Sequence, residues 1–174
     1  MPQRLRGILI SNNPTLWETV SDPIYCLALG FGSGLVKKAP GTCGSFVALI
    51  FYLPLSRLPL WMYIINLVVA FLLGIYICDE TAKRLRIKDP NIIVWDEFVG
   101  MWIALLLIPD VWYFIVIAFL MFRLFDILKP WPIGFLDRKL KGGIGIMLDD
   151  VAAGLLTLIT LQPLVIVITN FLPK

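Results

Sequence analysis

Five uncharged runs dominate this chain: Ala39 to Ser56, Leu58 to Cys78, Phe98 to Pro109, Val111 to Phe122 and Val151 to Pro173. So much unbroken apolar chain cannot be covered by the polar residues that remain. Of 174 residues, 15 are basic and 12 acidic, and the mean hydropathy of +0.88 is too high for a solvated globular surface. The runs are expected as membrane helices, since backbone groups in hydrocarbon must be satisfied internally. They leave no length for a separate soluble module, so the expectation is one all-α integral membrane domain over 1–174. Any activity then sits at the bilayer surface. The net charge of +3 is better explained by topology signals than by nucleic acid, which is not expected as a partner.

The two short runs on either side of Asp110 could form one span with a buried carboxylate, or two helices turning at Pro109-Asp110. Basic residues favour the turn. With a hairpin there, about five membrane helices place 13 Lys and Arg on one side and only Arg57 and Lys174 on the other; a single span would leave 9 against 6. The positive-inside rule thus predicts a hairpin, a cytoplasmic N-terminus and a cytoplasmic active face. Pro23 to Leu35 is apolar but short and broken by glycine, and is expected as a re-entrant or interfacial segment. The apolar stretch after Arg4 and Arg6 is too short for a signal peptide, and residues 1–22 form an arm with no assigned role. On this topology Gly30 to Ser45, Val94 to Gly100, Arg123 to Pro132 and Gly142 to Asp150 share one membrane face.

The chain has no histidine, which excludes His-based hydrolases, phosphohistidine enzymes, His-ligated zinc and His-ligated haem. Cys26, Cys43 and Cys78 have no metal or redox spacing and read as packing residues. Carboxylates, hydroxyls, Lys and Arg remain. Asp96-Glu97 and Asp149-Asp150 each immediately precede an apolar run. One such pair can be explained by the helix macrodipole. Two pairs on one face point to a hard divalent cation, and Mg²⁺, which takes one or two carboxylates with water and phosphate oxygens, is the expected cofactor.

Asp126 falls near a helix C-terminus, where the dipole disfavours an anion, and Arg123 and Lys129 flank it at three-residue spacing. A local salt bridge explains this spacing. The functional alternative is that Asp126 joins the metal or acts on a nucleophile while Arg123 and Lys129 grip phosphate oxygens. Pro130, Trp131 and Pro132 then end the helix at the interface. The glycine-rich stretch Gly30 to Gly34, followed by Lys37-Lys38 and Ala39 to Ser45, lacks the order of a nucleotide P-loop. It suits an anion cradle in which Lys37, Lys38, Thr42 and Ser45 are candidate substrate contacts, or else close packing with a helix cap. Ile133 to Lys141 reads as an amphipathic lid on anionic headgroups, with Arg138 as a further candidate contact. Cys78 to Arg84 has the spacing of cysteine phosphatases, but its acidic, helix-like sequence argues against that chemistry.

Taken together, GFGSGL (30–35), APGTCGS (39–45), VWDEFVGMW (94–102), FRLFDILKPWPI (122–133), DR (137–138) and GGIGIMLDD (142–150) resemble the phosphatidylglycerophosphatase A family in order and spacing. The resemblance covers roughly residues 25 to 155. It implies Mg²⁺-dependent hydrolysis of phosphatidylglycerophosphate to phosphatidylglycerol and phosphate, at the bacterial cytoplasmic membrane. It also implies functional roles for Asp96, Glu97, Arg123, Asp126, Lys129, Asp149 and Asp150. Water is the expected nucleophile, with the Asp126 carboxylate left open. Two competing readings are a divalent-cation carrier or scaffold, which would place its acids near the bilayer midplane, and a CDP-alcohol phosphotransferase, whose acidic motif is absent.

Overall fold

The computed structural model describes residues 13–131 and 133–171, excepting the side chains of residues 136–138 and 171; most of the N-terminal arm, Pro132 and the Arg138 contact therefore lie outside the described residues. Helices α1 (Leu16–Ser21) and α2 (Pro23–Ala28) and a 3-10 segment (Gly30–Leu35) precede α3 (Pro40–Leu55), α4 (Leu60–Leu85), α5 (Trp95–Ala104), α6 (Trp112–Leu128), α7 (Ile133–Lys139) and α8 (Gly142–Phe171). Helices α4 and α8 are long and apolar enough to cross a membrane. Only 22% and 28% of their most apolar stretches are buried inside the protein. Their outer faces carry Ile65, Val69, Leu72, Ile159 and Ile166 exposed, an apolar surface of the kind that marks a membrane or partner contact.

Four helices, α3, α4, α6 and α8, pack around α5, and seven of its ten residues are buried. The indole N–H of Trp95 donates to the Ala70 carbonyl of α4, that of Trp102 to the Ala48 carbonyl of α3, and the Tyr63 hydroxyl to the Trp102 carbonyl. Closest of all is the crossing with α8. A Cβ on Gly154 would lie 2.3 Å from the Gly100 carbonyl oxygen, and one on Gly100 would lie 2.7 Å from that of Asp150. The matched pairs Gly100 with Gly154 and Leu106 with Gln162 make α5 and α8 parallel.

The hairpin expected at Pro109-Asp110 is present. Phe122 of α6 returns to Gly100 and Arg123 returns to Glu97, so α6 runs antiparallel to α5. At about 1.5 Å per residue α5 is only about 15 Å long, too short to cross a bilayer alone. It ends at Ala104, and the apolar chain beyond it turns irregularly through Leu107, which is left-handed at φ 61°. The exposed ends of this turn are not left bare: the Gln162 amide of α8 donates to the Leu106 and Leu107 carbonyls, and the Tyr52 hydroxyl donates to Asp110.

One boundary differs from the sequence expectation. The last helix begins at Gly142 rather than Val151, so Asp149 and Asp150 lie two turns inside it and the macrodipole does not explain them. Glycines at 142, 143 and 145 would ordinarily weaken a helix by about 1 kcal/mol each. Here they let α8 press onto α4, where a Gly143 Cβ would sit 2.0 Å from the Ile75 carbonyl oxygen and the Gly143 N–H donates to Asp79. As the helix-like Cys78 to Arg84 sequence and the placing of Asp126 near a helix end predict, α4 continues to Leu85, carried by the Asp79–Lys83 and Glu80–Arg84 ion pairs, and α6 continues to Leu128. Cys78 is buried within a continuous helix, which disposes of the phosphatase-loop spacing. Pro23 to Leu35 folds as two short helical pieces of six residues each, α2 and the 3-10 segment.

Gly154→Ala places a methyl group against a backbone carbonyl that cannot step aside, and is expected to cost about 1–3 kcal/mol. Thermal unfolding in detergent should show a clear drop for this variant and little change for Leu155→Ala, one residue along but half exposed on the outer surface.

Candidate active site

The helix directions bring one set of ends together: the N-termini of α3, α5 and α8 and the C-termini of α4 and α6. The local conformations there are specialised. Asp96 and Glu97 are the second and third residues of α5, in the first turn, where exposed amides favour anions. Gly100 sits one turn beyond them and Gly154 one turn beyond Asp150, so the glycine crossing sets these acids side by side. Ligand oxygens of Asp96, Glu97 and Asp150 lie within 4.8 Å of one another. Asp150 is 3% exposed. Asp96 Oδ1, Glu97 Oε2 and Asp150 Oδ2 are buried without hydrogen-bond partners.

Arg123 comes from α6, with its side chain 13% exposed. Its Nη1 is 2.8 Å from Asp126 Oδ2 and 3.9 Å from Glu97 Oε1, and donates to the Ser45 hydroxyl at 3.3 Å. Ser45 in turn donates to the Gly41 carbonyl, so the first turns of α3 and the last turns of α6 are tied together through this guanidinium. Gly41 cannot be larger. A Cβ there would be 2.2 Å from Glu97 Oε1 and 3.1 Å from Arg123 Nη2. Asp126 is therefore held by its three-residue neighbour as the local salt-bridge reading expects, but the same arginine also faces Glu97.

Lys129 caps α6 in a left-handed conformation, φ 42°, where glycine is the usual residue. The turn sends its ammonium to Asp149 of α8, 2.7 Å away. Asp149 thus stands between a cation and the carboxylate group, and with Asp96 it borders a cavity of about 350 Å³. Lys88, Asp89, Leu140, Lys141, Gly142, Gly145 and Ile146 complete that lining.

Among the described residues, five carboxylates (Asp96, Glu97, Asp126, Asp149 and Asp150) face two cations here, Arg123 and Lys129. Oxygen donors in excess of positive charge, three of them buried and unpartnered, suit a hard divalent cation. Other expected contacts are less central. Lys37 and Lys38 are exposed in the loop before α3, and Thr42 is half-buried in its first turn. Gly30 and Gly34 serve packing: a Cβ on Gly34 would be 2.0 Å from the Ile92 carbonyl oxygen, and one on Gly30 would meet Val94 and Phe98. Sequence reasoning had no signal for Lys88 beyond its basic loop, placed Lys141 only at the end of the amphipathic segment on anionic headgroups, and missed the structural use of Gly41.

Comparison with known proteins adds an independent line. A family model described as phosphatidylglycerophosphatase A matches residues 26–165. A phosphatidylglycerophosphatase A of Haemophilus influenzae is 46% identical over 153 residues, covering 87% of this chain and 94% of the relative. Its counterpart in Escherichia coli (strain K12) is 43% identical over 139 residues, 79% of this chain and 81% of the relative. A putative phosphatidylinositol-3-phosphatase of Bacteroides thetaiotaomicron is 41% identical over 142 residues, 76% and 87% of the two chains. No solved structure matches. With its motifs, its spacing and its matched length in agreement, the chain belongs to the phosphatidylglycerophosphatase A family, whose members are phosphoric monoester hydrolases.

Proposed function

We propose that this protein hydrolyses the phosphomonoester of phosphatidylglycerophosphate, releasing phosphatidylglycerol and phosphate, with Mg²⁺ held by Asp96, Glu97 and Asp150 at the cytoplasmic face of a bacterial inner membrane. One observation carries the reading: a buried group of carboxylates, flanked by Arg123 and Lys129, gathers at one end of a bundle whose outer surface is apolar. A lipid phosphomonoester presents its phosphate at headgroup depth, with its acyl chains anchored beside the helices. The names of the relatives fit. Phosphatidylglycerophosphate and a phosphatidylinositol 3-phosphate both carry a phosphomonoester on a polyol headgroup joined to diacylglycerol by a phosphodiester.

Mg²⁺ would supply Lewis-acid polarisation of a phosphoryl oxygen and a water of lowered pKa. The protein's own residues do the rest. Arg123, fixed by Ser45, Asp126 and Glu97, presents a rigid guanidinium to the equatorial oxygens on which charge accumulates. Lys129 adds a second positive charge from the other side of Asp149. Asp126, one oxygen of which is held by Arg123, would accept the proton of the attacking water and pass it to the departing glycerol oxygen as the phosphorus–ester oxygen bond breaks. Asp149, inside α8 rather than before it, orients Lys129. The carrier alternative would need its acids at the bilayer midplane, whereas these sit at the end of the bundle.

The proposed topology has five membrane segments, α3 to α6 and α8, with the N-terminus in the cytoplasm. Its support is the segregation of charge: Lys83, Arg84, Lys88, Arg123, Lys129 and Lys141 share the site's end of the bundle, while Arg57 lies in the turn between α3 and α4 at the other. An impermeant amine reagent applied to intact cells should leave Lys88 and Lys139 unmodified until the membrane is opened. Labelling of Lys139 from outside would reverse the orientation.

Purified protein should release phosphate from phosphatidylglycerophosphate in Mg²⁺ and stop in EDTA. Asp96→Asn and Asp150→Asn should each abolish turnover while the protein still inserts into the membrane, because each removes both charge and a ligand atom. Full activity in EDTA would reject the metal assignment, and no phosphate release under any condition would reject the substrate.

Phosphate binding and structural pairing are separable at Arg123 and Lys129. If the Arg123 and Lys129 pairs are only structural, losing them lowers stability but leaves the turnover of the folded protein nearly intact. Transition-state contacts predict instead that Lys129→Gln lowers kcat/KM by on the order of 10²-fold, and that Arg123→Lys also lowers it because a point charge does not reproduce the guanidinium fork. Steady-state kinetics on variants of matched thermal stability decide between the two, and rates within about threefold of the parent would assign both residues to structure.

A further inference from the structure

The cavity beside Asp96 and Asp149 has two chemically different walls. One is the acidic edge of the reaction site. The other is made by Lys88, from the loop between α4 and α5, and Lys141, from the loop between α7 and α8. Both lysines are exposed, so their charge is available to a ligand. Gly142, left-handed at φ 71°, and Gly145, whose Cβ would lie 2.8 Å from the Leu140 backbone, also line the cavity. At about 350 Å³ it falls within the range of small-ligand sites, but its lining is too polar for an acyl chain.

We propose that this cavity is a specificity pocket in which Lys88 and Lys141 bind the phosphodiester of the substrate's headgroup while the phosphomonoester lies at the carboxylates. The inference rests on the function proposed above and goes beyond it, since it explains how one lipid phosphomonoester is chosen over another. Phosphatidylglycerophosphate carries two phosphates separated by a glycerol arm, and the cavity offers two sites of opposite character in the same order. Phosphatidate has its phosphomonoester directly on diacylglycerol. Bound at the same carboxylates, it would leave both lysines without an anion and draw apolar chain toward a polar chamber. Of the three acids lining the cavity, Asp149 is engaged by Lys129, Asp96 belongs to the carboxylate group, and Asp89 offsets one of the two lysine charges, so the lysine wall keeps a net positive charge.

The test compares kcat/KM for phosphatidylglycerophosphate and phosphatidate in mixed detergent micelles with Mg²⁺, using the parent protein, Lys88→Gln, Lys141→Gln and the matching Lys→Arg variants. The parent should prefer phosphatidylglycerophosphate. Each Gln variant should lose about tenfold of that preference, the scale of a charge-assisted hydrogen bond, through a higher KM for phosphatidylglycerophosphate at unchanged kcat. Arginine should restore most of it. Inhibition by inorganic phosphate should be equally strong in parent and variants, because the product phosphate binds at the carboxylates. A parent without preference, a preference unchanged within twofold in both Gln variants, or an equal loss of kcat on both lipids would overturn the pocket. Weakened phosphate inhibition in the Gln variants would assign the lysines to the product instead and overturn it as well. Absence of hydrolysis of either lipid by the parent is a different result: it removes the proposed function itself, and the pocket with it.

Discussion

The close crossing of α5 and α8 at Gly100 and Gly154 is the contact on which the site depends. Two helices normally pack about 8–10 Å apart because side chains intervene. Here the backbone of each helix lies within van der Waals range of the Cβ position of the other, which only glycine permits. Burying apolar side chains gains little in lipid, and small residues at a helix crossing are the usual way to gain dispersion contacts there. Chemistry follows from that geometry. Because the helices are parallel and the glycines stand one turn after the acids, the crossing aligns Glu97 with Asp150 and brings Asp96 into the same group.

A central helix of ten residues imposes a second constraint. It ends well short of the far end of the bundle, so the chain must continue there as irregular backbone, which is tolerated at membrane depth only if its polar groups find partners. Gln162 supplies two hydrogen bonds from α8 and Tyr52 covers Asp110 from α3. The three aromatic contacts to carbonyls around α5 serve the same end, each fixing a helix axis as well as satisfying a donor. Rigidity at the far end and in the middle holds the acidic end in place.

Much of this was legible in the sequence, for identifiable reasons. Proline and aspartate at 109–110 mark a turn whatever surrounds them, and the basic residues select the hairpin without any knowledge of packing. The acid pairs stand out because carboxylates are rare in so apolar a chain. What remained hidden was set by distant partners. Gly142 to Gly145 read as a loop because glycine disfavours helix, yet contact with the Ile75 carbonyl and a hydrogen bond to Asp79 outweigh that propensity. Gly30 to Gly34 suited an anion cradle equally well as tight packing, and the Ile92 backbone decides for packing. Ser45 meets Arg123 across 78 residues and Lys129 meets Asp149 across 20, separations at which no local spacing carries a signal.

The electrostatic balance explains why such a group of acids persists inside a helical bundle. Three carboxylates whose oxygens lie within 4.8 Å of one another cannot all be ionised without a large repulsion that a cation must offset. Arg123 offsets part of this through Asp126 and Glu97, and Lys129 offsets another part through Asp149. Neither cation reaches the oxygens of Asp96, Glu97 and Asp150 that lack hydrogen-bond partners. A protein under selection for stability alone would replace those acids with apolar residues, which often costs nothing or stabilises. On the function proposed above, a positive ligand completes the balance at a backbone crossing that cannot relax, because the repulsion among the acids becomes attraction for that ligand.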